Sequence, residues 1–163
     1  MTLNILISGA GIGGLVAALA LQQRGFSVEI YEQAPELLEL GAGVQISPNG
    51  TRVLRALGLE PALAPSLCEA AGKEVRMWDT GQTWPLFDLG QDSIDRFGAP
   101  YWMLHRGELH RALASAVHAN DPQAIRLGRR GTGVTQSDGK VTLHTTGGDA
   151  DGDVLIGADG VHS

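Results

Sequence analysis

The chain of 163 residues has one cysteine, Cys68. A lone thiol excludes a disulfide framework and any metal site built from several thiolates. Basic residues are scarce as well. Twelve Lys and Arg stand against eighteen Asp and Glu, a formal net charge of -6 at pH 7. That balance argues against nucleic acid or an anionic membrane surface as a partner. No apolar run is a convincing membrane span. The stretch from Leu3 to Leu21 is marginal in length, is interrupted by glycines and has no Lys or Arg before it. It is therefore read neither as a signal peptide nor as a transmembrane helix. These absences make a cytoplasmic protein the expectation.

Glycine, in contrast, is abundant. Its 23 copies are about twice the usual fraction, as suits an α/β protein with many turns and ligand loops. The hydrophobic content of 43% can build the core of about one domain. Three glycines stand out. Gly9, Gly11 and Gly14 have G-x-G-x-x-G spacing directly after the apolar run Leu3–Ser8. The first allows a tight turn, the second lets the backbone approach a pyrophosphate, and the third lets helix and strand pack closely. The following helix presents free N–H groups and the positive end of its dipole to phosphate. A second strand, Ser27–Tyr31, then runs into Glu32. That acid can accept hydrogen bonds from a ribose, and its charge repels a 2′-phosphate. The pattern reads as a dinucleotide site for FAD or NAD rather than NADP.

The remaining pattern is mixed. A buried helix is predicted over Gly13–Arg24, closed by Gly25. GAGVQISPN (Gly41–Asn49) is read as a loop with a short strand at Val44–Ile46. Asn49 is placed as the cap of a helix through Leu57, stopped by Gly58. Pro61–Ala71 is read as a further helix. Lys73–Asp79 and Gln82–Asp88 flank Thr80-Gly81 as a hairpin, and Tyr101–Leu104 as a strand. Arg106–Ala119 is helical, with Leu109, Leu113 and Val117 on one face. Strands follow at Ile125–Leu127, Val134–Ser137 and Lys140–His144, the last two joined by Asp138-Gly139, a strong hairpin turn. A final apolar strand, Val154–Ile156, leads into Gly157–Gly160. The fold expected is an α/β, Rossmann-like domain interrupted by strands of another sheet.

Other constellations carry less. Asp149, Asp151 and Asp153 alternate like a calcium loop, but the glycine is misplaced and no bidentate Glu follows; a solvated turn is expected there. Asp159, His162 and Ser163 are triad letters too close in one turn to form a triad. His105 and His110 are expected on different faces, so no metal site is assigned. Trp78, Trp84 and Trp102 are candidates either for an aromatic pocket or for packing. No catalytic acid, base or nucleophile is assigned.

Three motifs together carry a family resemblance: GAGIGGL with Glu32, HRGELHRAL (His105–Leu113) and DVLIGADGVHS (Asp153–Ser163). With LGAGVQISPNGTRVLRALGL (Leu40–Leu59), the chain resembles the FAD-dependent aromatic hydroxylases of the para-hydroxybenzoate hydroxylase family. The likeness is closest to the salicylate, 3-hydroxybenzoate and 6-hydroxynicotinate hydroxylase branch. It covers all of this chain but only the first half of a family member. The resemblance implies an FAD-binding domain over 1–163, with 73–104 contributing to a substrate-side sheet. It implies cofactor contacts from Gly9, Gly11, Ile12, Gly13, Gly14 and Leu15, and from Glu32 and Gln33. Gly43, Val44 and Gln45 would lie by the isoalloxazine ring. Arg106 would pair with the phosphate or ribitol side of FAD; a cation at a helix N-terminus opposes the dipole, so a nearby anion explains it. Asp159 and Gly160 match the family's Asp-Gly motif beside the diphosphate. Gly131 stands where Val or Leu is expected next to adenine, which leaves only a backbone contact there.

The activity implied is hydroxylation of a small, hydroxylated aromatic acid with NADH or NADPH and O2. Any catalytic base is expected beyond this chain, which stops three residues past Gly160 in a turn that should lead onward. Two other readings stay open: a nucleotide-binding fragment or half-chain without turnover, partnered by a complementary C-terminal half or a second copy, and an NAD-dependent dehydrogenase.

Overall fold

A computed structural model of the chain describes residues 3–37 and 41–160. His162, Ser163 and the first residue of the Leu40–Leu59 motif lie outside them. In chain order the elements are β1 (Asn4–Ser8), α1 (Ile12–Gln22), β2 (Ser27–Tyr31), β3 (Gly43–Ile46), α2 (Pro48–Ala56) and α3 (Glu60–Leu63). A 3-10 turn (Ala64–Ser66) leads to β4 (Cys68–Glu69), β5 (Gly72–Arg76), β6 (Thr83–Asp88), α4 (Gln91–Phe97) and β7 (Trp102–His105). Then come α5 (Arg106–Asn120), β8 (Ile125–Arg126), β9 (Gly131–Ser137), β10 (Lys140–Thr145), β11 (Gly148–Gly152) and β12 (Val154–Gly157).

The chain divides into two compact units, 1–39 with 109–163, and 40–108. The first unit holds a parallel four-stranded sheet in the order β12-β1-β2-β8. Its second strand in that order, β1, is buried at every position after Asn4, the mark of a parallel strand covered on both faces. Helix α1 packs on β1 and β2. Strand β11 runs against β1 so closely that a Cβ on Gly152 would lie 2.7 Å from Leu6 Cγ. The core is Leu6, Ile7, Leu15, Leu19 and Ile30 with Leu109, Leu113 and Val117 of α5, all at most 2% exposed. The helix face expected of α5 is the one buried.

A second, antiparallel sheet of this unit has the order β11-β10-β9. The β9–β10 turn has positive φ at both Asp138 (50°) and Gly139 (73°), the type I′ geometry that Asp-Gly favours. Strand β11 corrects the reading of Asp149–Asp153 as a solvated turn. Thr142 pairs with Asp151 and His144 with Asp149 across the ladder, so the alternating acids mark a strand edge. Asp153 follows, accepting from the Asn4 N–H at 2.7 Å and pairing with Lys140. The Lys140 ammonium, with the Asn4 N–H, holds the Asp153 carboxyl below its ordinary range.

In the second unit β7 is flanked by β3 and β4, all antiparallel, and β5 pairs with β6. Three expectations change here. The helix starting near Asn49 is capped by Ser47, with Pro48 at its first position; Pro pre-sets helical φ and lacks only an N–H that would be unpaired anyway. Asn49 lies inside that first turn, and the Ser47 hydroxyl donates to its Oδ1 at 2.5 Å. Pro61–Ala71 is no continuous helix. It is α3, a 3-10 turn and the strand β4, because Pro65 cannot donate a backbone hydrogen bond and clashes with a helical preceding turn. Helix α4 is an element that the sequence reading lacks. Of the tryptophans, Trp102 is fully buried under the Arg55 guanidinium, 5.3 Å from the ring centroid, whereas Trp78 is 94% exposed. Trp102 is a core residue.

Candidate functional site

The C-terminal end of β1 meets the glycine turn in the first unit. Gly9 has φ +102°, a backbone conformation that L side chains rarely adopt. A Cβ there would also lie 2.5 Å from the Ala158 carbonyl oxygen and 2.9 Å from Asp159 Cα. The turn Gly157–Gly160 is therefore packed on Gly9, held by the Ala158 N–H donating to Ser8 O at 2.7 Å. Gly14, buried in α1, approaches the turn from the other side: a Cβ on it would be 2.0 Å from the Gly9 carbonyl oxygen. Gly11 is different. It caps α1 in extended conformation, φ -67° and ψ 177°, and a Cβ on it would meet nothing within 4 Å. Two glycines exist for contacts within the chain, and the third faces open space.

Glu32 follows β2. Its Oε2 accepts from the Ala10 N–H at 2.7 Å and its Oε1 from the Ala34 N–H at 2.8 Å. Each carboxylate oxygen has two lone pairs, so this leaves acceptor capacity for two further hydroxyl donors. Glu32, Ala10, Gly11 and His110 line a small groove of about 150 Å³. His110 is buried, and its Nε2 lies 2.7 Å from the Ala10 carbonyl oxygen. Sequence reasoning assigns His110 no part in this site; its only signal is the apolar face of α5 on which it sits.

The other residues singled out fall into two groups. The first unit brings Gly9, Gly11, Ile12, Gly13, Gly14, Leu15, Glu32, Asp159 and Gly160 together around the turn. Gln33 is exposed beyond Glu32. Gly131 begins β9, where a Cβ would stand 3.4 Å from Ser8 Oγ. The second unit gathers Gly43, Val44, Gln45 and Arg106. Gly43 pairs with His105 and Gln45 with Met103. Arg106 donates its N–H to Ala42 O at 3.2 Å, and the Tyr101 hydroxyl donates to Gln45 Oε1 at 3.0 Å. Among the described residues no cluster of three or more His, Cys, Asp or Glu could hold a metal, and no helix is long and apolar enough to cross a membrane.

One titration bears on this end of the sheet. Tyr31, next to Glu32, donates to Glu29 Oε2 at 2.9 Å. Burial first, then that hydrogen bond and the Glu29 charge, push the phenol from its ordinary 10.0 up to about 12. The folded state keeps this proton where the unfolded chain loses it. The contribution is therefore intact below pH 10.0 and is lost as pH rises towards about 12. Melting curves across that window should fall less steeply for Tyr31→Phe than for the wild type.

A family profile described as an FAD binding domain matches residues 2–163. The chain is 43% identical over 162 residues to 3-amino-4-hydroxybenzoate 2-monooxygenase of Streptomyces cremeus, covering 99% of this chain and 40% of that protein. It is 39% identical over 165 residues to 3-hydroxybenzoate 6-hydroxylase of Polaromonas naphthalenivorans, with 99% and 40% covered. A crystal structure of a Klebsiella pneumoniae HpxO variant complexed with FAD matches with a TM-score of 0.80 at 29% identity, over 99% of this chain and 40% of that one. The chain thus spans about two fifths of the length of the curated relatives it matches.

Proposed function

The chain belongs to the FAD-binding-domain family that matches residues 2–163, and from that premise we propose that it is the cofactor-holding part of an FAD-dependent monooxygenase. The substrate class proposed is a small aromatic compound, a hydroxylated aromatic carboxylic acid in particular, with NADH or NADPH and O2 as co-substrates. The observation that carries the cofactor assignment is the glycine turn. Gly11 is open to a ligand while Gly9 and Gly14 are closed by the chain itself, and a carboxylate with spare acceptors lies beside it. A dinucleotide fits this arrangement: pyrophosphate over Gly11 and the start of α1, adenosine ribose on Glu32. The Glu32 charge disfavours a 2′-phosphate in that position.

Bound FAD supplies the redox chemistry that passes electrons from a nicotinamide to O2 and puts one oxygen atom on the ring. The chain's own part is binding and orientation. Backbone N–H groups at Gly11, Ile12 and Gly13 neutralise phosphate charge, and Leu15 closes the helix against β1. Asp159 and Gly160, packed at Gly9, are assigned to the diphosphate–ribitol region. Gly43, Val44 and Gln45 are assigned to the isoalloxazine, and residues 73–104 to the substrate side, on the family likeness.

The test is a flavin spectrum of the protein expressed from its own reading frame, followed by NADH and NADPH oxidation over a panel of hydroxylated aromatic acids. A yellow protein whose NAD(P)H oxidation rises with one of these acids, with hydroxylated product, is the expected result. A colourless protein that binds NAD would overturn it in favour of a dehydrogenase. Arg106 is tested separately. Arg106→Ala should weaken FAD binding by about 2–4 kcal/mol, the cost of truncating one partner of a desolvated charge pair. Unchanged FAD affinity by fluorescence titration would remove Arg106 from the cofactor site.

A further inference from the structure

His110 lies outside the glycine fingerprint, yet it grips it. It sits on the second turn of α5 and is 4% exposed. Its Nε2 is 2.7 Å from the carbonyl oxygen of Ala10, 100 positions earlier in the chain. A carbonyl oxygen can only accept, so Nε2 donates. Ala10 is thereby held at both ends: its N–H by Glu32 Oε2 at 2.7 Å, its C=O by His110.

The second of these contacts has a directional consequence. The peptide joining Ala10 to Gly11 is planar and trans, so its C=O and N–H point in opposite directions. With the oxygen drawn onto the imidazole, the Gly11 N–H is turned away from it. Gly11 is also the turn glycine whose side is open. Without such a hold, a peptide flanked by glycine has more rotational freedom than most to lose on binding. A donor already aimed at its acceptor avoids that cost.

We propose that His110 is a positioning residue of the pyrophosphate cradle, fixing through the Ala10 carbonyl the direction in which the Gly11 N–H donates to phosphate. This rests on the FAD reading above. It adds His110, in the second turn of α5, to the hold on the glycine turn that Glu32 and the Gly157–Gly160 segment already provide.

The test uses three variants of the protein expressed from its own reading frame. His110→Leu removes the donor at similar bulk, His110→Gln returns an N–H at similar reach, and His110→Asn carries the same amide one methylene short. Readouts are the FAD dissociation constant of the apoprotein by flavin fluorescence, the 31P NMR signals of the bound pyrophosphate, and the apoprotein melting temperature. His110→Leu and His110→Asn should weaken FAD binding about tenfold or more, one hydrogen bond's worth, and shift the 31P signals. His110→Gln should stay within about threefold of wild type. If His110→Leu does not fold, the Gln and Asn pair decides. Wild-type FAD affinity and 31P signals in His110→Leu or His110→Asn would overturn the proposal, as would a Gln variant no better than Asn. A wild-type protein that binds no FAD would instead overturn the cofactor reading itself.

Discussion

Gly11→Val is expected to give a folded protein that retains no FAD. The backbone at Gly11, φ -67° and ψ 177°, is extended and open to any residue. The new Cβ would meet no atom of the chain within 4 Å. The loss of a favourable cap residue costs about 1 kcal/mol or less, so the melting temperature of the apoprotein should move little. In the proposed site the isopropyl group would instead occupy the space assigned to the backbone's approach to pyrophosphate. The expected loss of FAD affinity is about 100-fold or more, near 3 kcal/mol, visible as a colourless preparation and a flat fluorescence titration. A yellow Gly11→Val protein of normal flavin content would mean that the open side of the turn is not the phosphate side.

Gly14→Ala should do the reverse, damaging the fold before the ligand. In an exposed helix, replacing Gly by Ala stabilises by roughly 1 kcal/mol. Here the added methyl would lie 2.0 Å from the Gly9 carbonyl oxygen and 3.4 Å from Ala158 Cβ. Gly9 cannot retreat, because its far side is already filled by the Ala158 carbonyl and Asp159. Overpacking against backbone on both sides should cost about 3 kcal/mol, a fall in melting temperature of roughly 6–12 °C for a chain of this size. A thermal melt of the apoprotein decides the sign. A Gly14→Ala protein as stable as wild type would show that α1 does not approach the turn as closely as described. The pair of variants separates a glycine kept for the ligand from a glycine kept for the chain.

The sequence made those three glycines one motif with three roles; the structure shows the tight turn at Gly9 and the close packing at Gly14, and leaves Gly11 open to the approach proposed for it. It was legible because the fingerprint is local: strand, turn and helix start fall within a dozen residues, and Glu32 follows one strand later. The Asp138-Gly139 hairpin was legible for the same reason, since two positive-φ positions are demanded by the turn itself. Errors arose where a local pattern was ambiguous. The alternating acids Asp149, Asp151 and Asp153 look the same in a solvated turn and on the edge of a strand, and only their partners on β10 decide. Pro61–Ala71 has helical composition, but Pro65 ends the helical path. The three tryptophans read alike, yet Trp102 is core and Trp78 is solvent-facing, because Trp102 lies on β7, the central strand of its sheet, and Trp78 in the turn between β5 and β6.

By itself, then, the sequence determined the glycine turn, the acid that follows β2 and the α/β order, because each depends on bond geometry within a few residues. The tertiary structure alone decided that Gly157–Gly160 closes over Gly9, that β11 lies against β1, and that His110 holds the Ala10 carbonyl. Each of these joins groups about a hundred or more positions apart, where no local preference acts and only the path of the folded chain brings donor to acceptor.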